Sequence, residues 1–319
     1  MRLIRDTQFD FMSRRRWAFL FSLLIIVPGL ISMLARGGLR LGVDFTGGTQ
    51  IEVQLNAKSA DSGSVPIGDV RAAVAAAGHD DRAIQKAGGG EVNDFLIHVQ
   101  EGAGGTSAGQ HISESIVQEL RERFPDHEVE LRGIQSVGPK IGSELRSAAI
   151  QAVLASILLI LVYVAFRFEF RFGVATILAA GHDVLFILGL FSLSNKEMNL
   201  TVIAAFLTLV GYSVNDTIVV FDRIREELKL RQKREAYEVI VNSAINKTLS
   251  RTLLTGVTTL IVLASLFFAG GEVLHDFSWV LLLGIVVGTY SSIFVAAPLL
   301  VEWQKRADLR EAAKASRAA

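Results

Sequence analysis

Long apolar runs broken by short clusters of charge dominate the chain. Windows almost free of charged residues fall at 17–35, 147–166, 172–193, 198–221, 253–270 and 277–301. Each is long enough to cross ~30 Å of hydrocarbon as an α-helix. Six such segments predict a polytopic helical membrane protein rather than a soluble core. Between the first two runs the periodicity changes. Residues 49–55 alternate apolar and polar as a half-buried strand. Residues 66–77 have helix composition, with Pro66 suited to a first turn and Gly78 ending it. Strands are expected at 82–86, 92–100 and 128–137. A second, amphipathic helix at 111–124 carries Ile112, Ile116, Val117 and Leu120. Strand, helix, strand, strand, helix, strand is the order of a ferredoxin-like α+β sandwich, two helices covering one face of a small antiparallel sheet. Farther on, 222–250 is basic, and Tyr237, Ile240, Val241, Ala244, Ile245 and Leu249 follow helical spacing. That pattern predicts an amphipathic segment lying along the membrane surface.

Charge then orients the helices. With the N-terminus inside, five Lys or Arg precede the first run, two follow the second at Arg167 and Arg171, eight lie at 223–251 and five at the C-terminal end. The two short loops on the opposite side, 194–197 and 271–276, hold only Lys196. The positive-inside rule therefore places both termini in the cytoplasm. The 36–146 loop is too long for its charge to control orientation, so it is expected to be a folded domain outside. The resulting division is a cytoplasmic 1–16, a first span at 17–35, a periplasmic 36–146, five further spans within 147–301 with the cytoplasmic 222–250 among them, and a tail at 302–319. Arg14, Arg15 and Arg16 before the first run imitate a secretory leader. Its 19 residues exceed a leader's apolar core, and Met33 occupies the minus-three position of a cleavage after Ala35. It is read as a retained anchor.

Formal net charge is zero and cysteine is absent. Neither a nucleic-acid partner, a disulfide framework nor a thiolate metal site is suggested. His79, His98, His111 and His127 match no ligand spacing. The glycine stretches at 88–90 and 102–109 lack the lysine and the strand-to-helix setting of a phosphate loop, and are read as connectors.

The informative residues are ionisable groups inside the apolar runs. Asp183 lies midway along the third and Asp216 about two-thirds along the fourth, where an ionised carboxylate costs ~3 kcal/mol on insertion scales. Thr208, Tyr212, Ser213 and Asp216 recur at spacings of three and four, a polar stripe able to carry water or a proton. Arg251 opens the fifth span, with Thr255 one turn deeper, and is expected at a depth similar to Asp216. An aspartate alternating between an arginine partner and a proton would couple protonation to helix packing. The competing reading is a static salt bridge or hydrogen-bond network. Gly284 and Gly288 form a GxxxG, which predicts close helix packing.

Three stretches carry a family resemblance. Gly42-Val43-Asp44-Phe45-Thr46-Gly47-Gly48-Thr49, the run VGYSVNDTIVVFDRIR from Val210 to Arg225, and LSRTLLT from Leu249 to Thr255 resemble the SecD/SecF family of protein-export membrane subunits, on its SecF side. The resemblance implies half of a resistance-nodulation-division-type bundle in the bacterial cytoplasmic (inner) membrane. It implies work with SecD and the SecYEG channel on unfolded exported polypeptides, driven by the proton gradient, with no other cofactor and no covalent chemistry. By matching motifs it assigns Asp216 to the family's fourth-span aspartate and Arg251 to its fifth-span arginine, with Asp183 as the third-span His-Asp pair. SecD's own aspartate is absent here, so a hetero-complex within the lipid bilayer is expected to complete the proton path. Two other functions compete with export: a half-size efflux transporter of the same superfamily, and an intramembrane aspartyl protease built from Asp183 and Asp216. The protease's GxGD context is missing.

Overall fold

The computed structural model describes residues 7–59, 63–79, 84–87, 93–99, 105–231 and 235–318. The glycine run at 88–90 and residues 102–104 of the second glycine stretch lie outside them. The chain divides into two compact units, one of residues 41–151 with 197–200, the other made of the remainder.

In chain order the elements are α1 (Arg15–Ala35), β1 (Arg40–Leu41), α2 (Val43–Thr46), β2 (Gly48–Ala57), α3 (Ile67–Ala76), β3 (Ile84–Ala87), β4 (Asp94–Val99), α4 (Gly105–Arg123), β5 (His127–Val137), α5 (Pro139–Arg167), α6 (Phe170–Leu193), β6 (Glu197–Met198), α7 (Leu200–Arg231), α8 (Tyr237–Ala269), α9 (Gly271–Ser291), a π-helical segment (Ser292–Ala296) and α10 (Ala297–Ala318).

In the smaller unit the four-stranded sheet has the order β3-β4-β2-β5, and every pairing is antiparallel. With α3 and α4 between the strands, this is the ferredoxin-like arrangement expected from the sequence. The core follows from strand alternation: Ile51, Val53 and Leu55 from β2 and Phe95, Ile97 and Val99 from β4 meet Val70 and Val74 of α3 and Ile116 and Leu120 of α4. The register shifts between Glu52 and Val53, leaving Arg132 of β5 unpaired in a bulge. The strand is entered through Gly47 (φ 72°) and Gly48 (φ 115°). A Cβ on Gly48 would stand 2.7 Å from the Val99 carbonyl oxygen, so that position admits only glycine on two grounds.

Among the described residues six helices are long and apolar enough to cross a membrane, the last running from α9 through the π-helical segment into α10. In the first of them burial is inverted relative to a soluble bundle. On α1, Trp17, Leu20, Leu24, Ile31 and Leu34 face outward, whereas Ala18, Ser22 and Gly29 are buried. Small inner residues let the backbones meet where lipid supplies no hydrophobic drive. The limit is reached at α1 and α6, where a Cβ on Gly29 would lie 2.2 Å from the Gly189 Cα. Gly284 plays a similar part on α9, where an added Cβ would strike Leu209 of α7.

The basic stretch at 222–250 does not form a separate surface helix. Residues 222–231 prolong α7 and 237–250 begin α8. Ile240, Val241, Ala244 and Ile245 keep their helical spacing and are buried, the last three in one cluster with Val220, Phe221 and Ile224. Their apolar stripe is satisfied by protein rather than by lipid. Glu227, almost fully buried, ties the two helix ends together through Lys247 (2.6 Å), Arg223 (2.8 Å) and Arg231 (3.2 Å). Asn242 and Asn246, one turn apart on α8, hold the N-terminal segment by four hydrogen bonds to the main chain of Phe9 and Phe11. Those bonds replace the backbone pairing a strand would have found.

Candidate functional site

Two aspartates lie inside the larger unit, each buried within an apolar run. Asp183 of α6 has no exposed surface. Its Oδ2 accepts hydrogen bonds from Ser213 of α7 (2.5 Å) and Ser291 of α9 (2.7 Å), and its Oδ1 lies 2.9 Å from His182 Nδ1. Asp216 of α7 accepts a 2.7 Å hydrogen bond through Oδ2 from Ser292, the next residue along the last span. Successive residues of an α-helix point about 100° apart, so two neighbouring serines reach two carboxylates only where both sites flank the same helix. Here that place is the junction of α9 with the π-helical segment, a geometry often found at functional sites. Gly288 makes room one turn earlier: a Cβ there would touch Ser213 at 3.4 Å and Asp183 Oδ2 at 3.8 Å.

A further arm leads away from Asp183. His182 Nε2 lies 2.8 Å from Ser22 Oγ of α1, and Ser22 lies 3.1 Å from the Tyr290 hydroxyl, which donates to the Ala18 carbonyl at 2.6 Å. With Asp183 ionised, Nδ1 donates to the carboxylate and Nε2 accepts from Ser22. Among the described residues neither carboxylate forms an ion pair with Lys or Arg. Their charge rests on hydroxyl and imidazole donors. Thr217 and Thr252 are also buried here, and the Thr217 hydroxyl has no hydrogen-bond partner among the described residues.

The other expectations divide. Of the polar stripe on α7, Ser213 and Asp216 point inward and Tyr212 is half-buried, whereas Thr208 is exposed and bonds back to Ala204. Arg251 does not meet Asp216. Both Arg251 and Thr255 lie on the exposed face of α8, while the buried face presents Thr248, Thr252 and Gly256. One residue of rotation separates the observed Thr252 from the expected Arg251. Ser291, Ser292, Ser22 and Tyr290 went unmarked by the sequence, because hydroxyls in apolar helices are common and only helix register reveals their partners. The adjacency of Ser291 to Ser292, a glycine one turn before, was the available signal.

The fold and site thus define a multi-pass membrane protein with an extramembrane α+β unit and an intramembrane network centred on two carboxylates. Residues 116–306 match the family described as "Protein export membrane protein SecD/SecF, C-terminal", and residues 31–58 match the "SecD/SecF GG Motif". The chain is 39% identical over 311 residues to the protein translocase subunit SecF of Endomicrobium trichonymphae, covering 97% of this chain and 96% of that one. To the SecF of Magnetococcus marinus it is 45% identical over 298 residues, covering 93% of each. The chain belongs to the SecF branch of the SecD/SecF family. A crystal structure of SecDF, a translocon-associated membrane protein from Thermus thermophilus, superposes with a TM-score of 0.78 at 38% identity, over 94% of this chain. SecDF in a super-membrane-facing form gives 0.68, also at 38% identity, over 98%. This chain spans 39% and 41% of those longer chains.

Proposed function

We propose that the chain is the SecF-type subunit of a Sec protein-export complex in the bacterial cytoplasmic membrane. With SecD it uses the proton gradient to promote preprotein movement and release on the periplasmic side, next to the SecYEG channel. Both termini are cytoplasmic on this reading, as the lysine and arginine bias requires, and the ferredoxin-like unit is periplasmic. The names of the related translocase subunits favour export over the half-size efflux transporter.

The observation that carries the proton role is a pair of buried carboxylates held by Ser213, Ser291, Ser292 and His182 and, among the described residues, by no Lys or Arg. A charge so placed depends on the donors converging on the pair from three helices and the π-helical segment. Adding or removing a proton therefore alters what holds those elements together. The proton relay consists of Asp216 as the group that titrates, Asp183 beside it, and Arg251 with Thr255 on the face left for a partner. Thr217 supplies an unsatisfied hydroxyl along the way. The pair is read as moving protons between compartments, and no bond of the exported chain is broken.

Protein export into inverted vesicles holding equal amounts of SecD tests this, with and without a proton gradient. Asp216→Asn keeps the shape and cannot titrate, so it is expected to fold, associate with SecD and lose gradient stimulation. Stimulation equal to the parent's would make Asp216 structural and return coupling to SecD.

A further inference from the structure

We propose that Ser291 and Ser292 are two-position proton switches, each turning its hydroxyl between an aspartate and a carbonyl of its own helix as that aspartate changes charge. The proposal rests on the proton-relay reading for its purpose, but not for its geometry.

Each hydroxyl has two acceptors within reach and one hydrogen. Ser291 Oγ stands 2.7 Å from Asp183 Oδ2 and 3.1 Å from the Gly288 carbonyl oxygen. Ser292 Oγ stands 2.7 Å from Asp216 Oδ2 and 3.0 Å from the Thr289 carbonyl oxygen. When the carboxylate is ionised, the serine hydrogen points at it. When the carboxyl is protonated, its own O–H donates to the serine oxygen, and the serine hydrogen rotates to the carbonyl three residues back. No hydrogen is gained or lost by the serine; the added proton stays on the aspartate and comes from the relay. Both states keep the serine oxygen and the carboxyl Oδ2 facing it bonded, so neither charge state orphans that pair. A side chain that can only donate, such as an indole N–H, would satisfy the ionised state alone.

The surroundings leave this task to the serines. Besides Ser292, the groups acting on Asp216 are Thr252 of α8, Tyr212 of its own helix, and Asp183. Around Asp183 they are His182, Ser213, Ser291 and Tyr290. Among the described residues Ser213 is hydrogen-bonded to Asp183 with no helix carbonyl as a second acceptor, and it is the two serines of the last span that combine one of these carboxylates with an i−3 carbonyl. The π-helical segment that begins at Ser292 brings them to the two carboxylates one after the other.

Infrared difference spectroscopy of the reconstituted complex, on stepping the pH, reads the switch directly. Each protonated-carboxyl band is assigned by its disappearance in Asp183→Asn or Asp216→Asn. Ser292→Ala is expected to move the Asp216 band to higher frequency, since the acid O–H loses its acceptor, and to leave the Asp183 band in place. Ser291→Ala is expected to do the reverse, with the smaller shift that the remaining donors on Asp183 allow. Ser292→Thr, which keeps a hydroxyl, is expected to restore the parent band and parent gradient stimulation. Bands that stay fixed in the alanine variants, or that both move in either one, would overturn the switch. If Asp216→Asn keeps gradient stimulation while the bands shift selectively, the relay reading fails and the switch stands.

Discussion

Asp44 holds Leu200 within the smaller unit: its Oδ2 accepts a 2.9 Å hydrogen bond from the N–H of Leu200, the first residue of α7. Its Oδ1 accepts from Gln135 Nε2 at 2.9 Å, which ties the same carboxylate to β5. The glycines that follow let the backbone close on this point. Gly47 lies at φ 72°, and the Gly142 backbone comes so near that a Cβ on Gly142 would be 3.0 Å from the Gly47 nitrogen. The glycine-rich signature is thus a structural device for placing one carboxylate at a helix N-terminus, where orphan N–H groups and the helix dipole favour negative charge.

Asp44→Ala is expected to lose about 1 kcal/mol at that helix end. Amide hydrogen exchange across residues 200–203 would show it as roughly fivefold faster opening, the size that 1 kcal/mol implies. Asp44→Asn keeps an oxygen acceptor and should retain most of the protection. Equal exchange in parent and alanine variant would mean that the helix end is held by other contacts.

How far the sequence disclosed this arrangement depended on what each residue costs. Asp183 and Asp216 stood out because a carboxylate in an apolar run is expensive wherever the helix is turned. Ile51, Val53 and Leu55 disclosed their strand because alternation needs no knowledge of the partner. Arg251 misled because it sits beside Thr252, and the rotation of α8 about its own axis depends on packing by Val241, Ala244 and Ile245, residues whose spacing suits a membrane surface equally well. Asp44 belonged to a signature whose family was legible, but its contact with Leu200 joins residues 156 apart. No local pattern reports such a pairing.

The contact of Gly29 with Gly189 makes a sharp test of backbone packing. Gly29→Ala places a methyl group 2.2 Å from the Gly189 Cα, and backbone cannot step aside as a side-chain end can. Forcing α1 from α6 is expected to cost roughly 1–3 kcal/mol and to lower the thermal midpoint in detergent. Gly181→Ala on the same α6 meets nothing within 4 Å and should be neutral or slightly stabilising, as helix propensity favours alanine. If the two variants melted together, the helices would not be in backbone contact.

Asp94, outside the membrane spans, gives the α+β unit a pH dependence. Burial raises its carboxyl above the ordinary range, aided by Glu52 and Glu130 and opposed by Arg132 and Gln54; its Oδ1 has no hydrogen-bond partner among the described residues. A carboxyl raised on folding binds its proton more tightly folded than unfolded. Its contribution is therefore fully present below the unfolded value, about pH 4, and is lost as pH rises through the folded one. Asp94→Asn removes the cost of ionisation and should slow exchange at β3 and β4 near neutral pH, with little change in acid. The same difference from the parent at both pH values would show that Asp94 does not titrate in this range.

Arg251 and Thr255 lie on a face of α8 that exposes Leu254, Val257, Ile261 and Val262. Apolar exposure of this kind suits lipid, but a guanidinium does not: an arginine costs up to ~3 kcal/mol at mid-membrane on insertion scales and less at the edge, where it reaches for the interface. A partner subunit carrying a carboxylate would remove that cost, and the chain's own Asp183 and Asp216 are occupied by hydroxyl donors. A photo-reactive side chain in place of Thr255 is therefore expected to join to SecD in membranes containing both proteins. The same group in place of Thr217, buried within the bundle, is expected to join only to this chain. Adducts with lipid alone at Thr255 would mean that Arg251 is held by the membrane interface, and that the proton path closes without it.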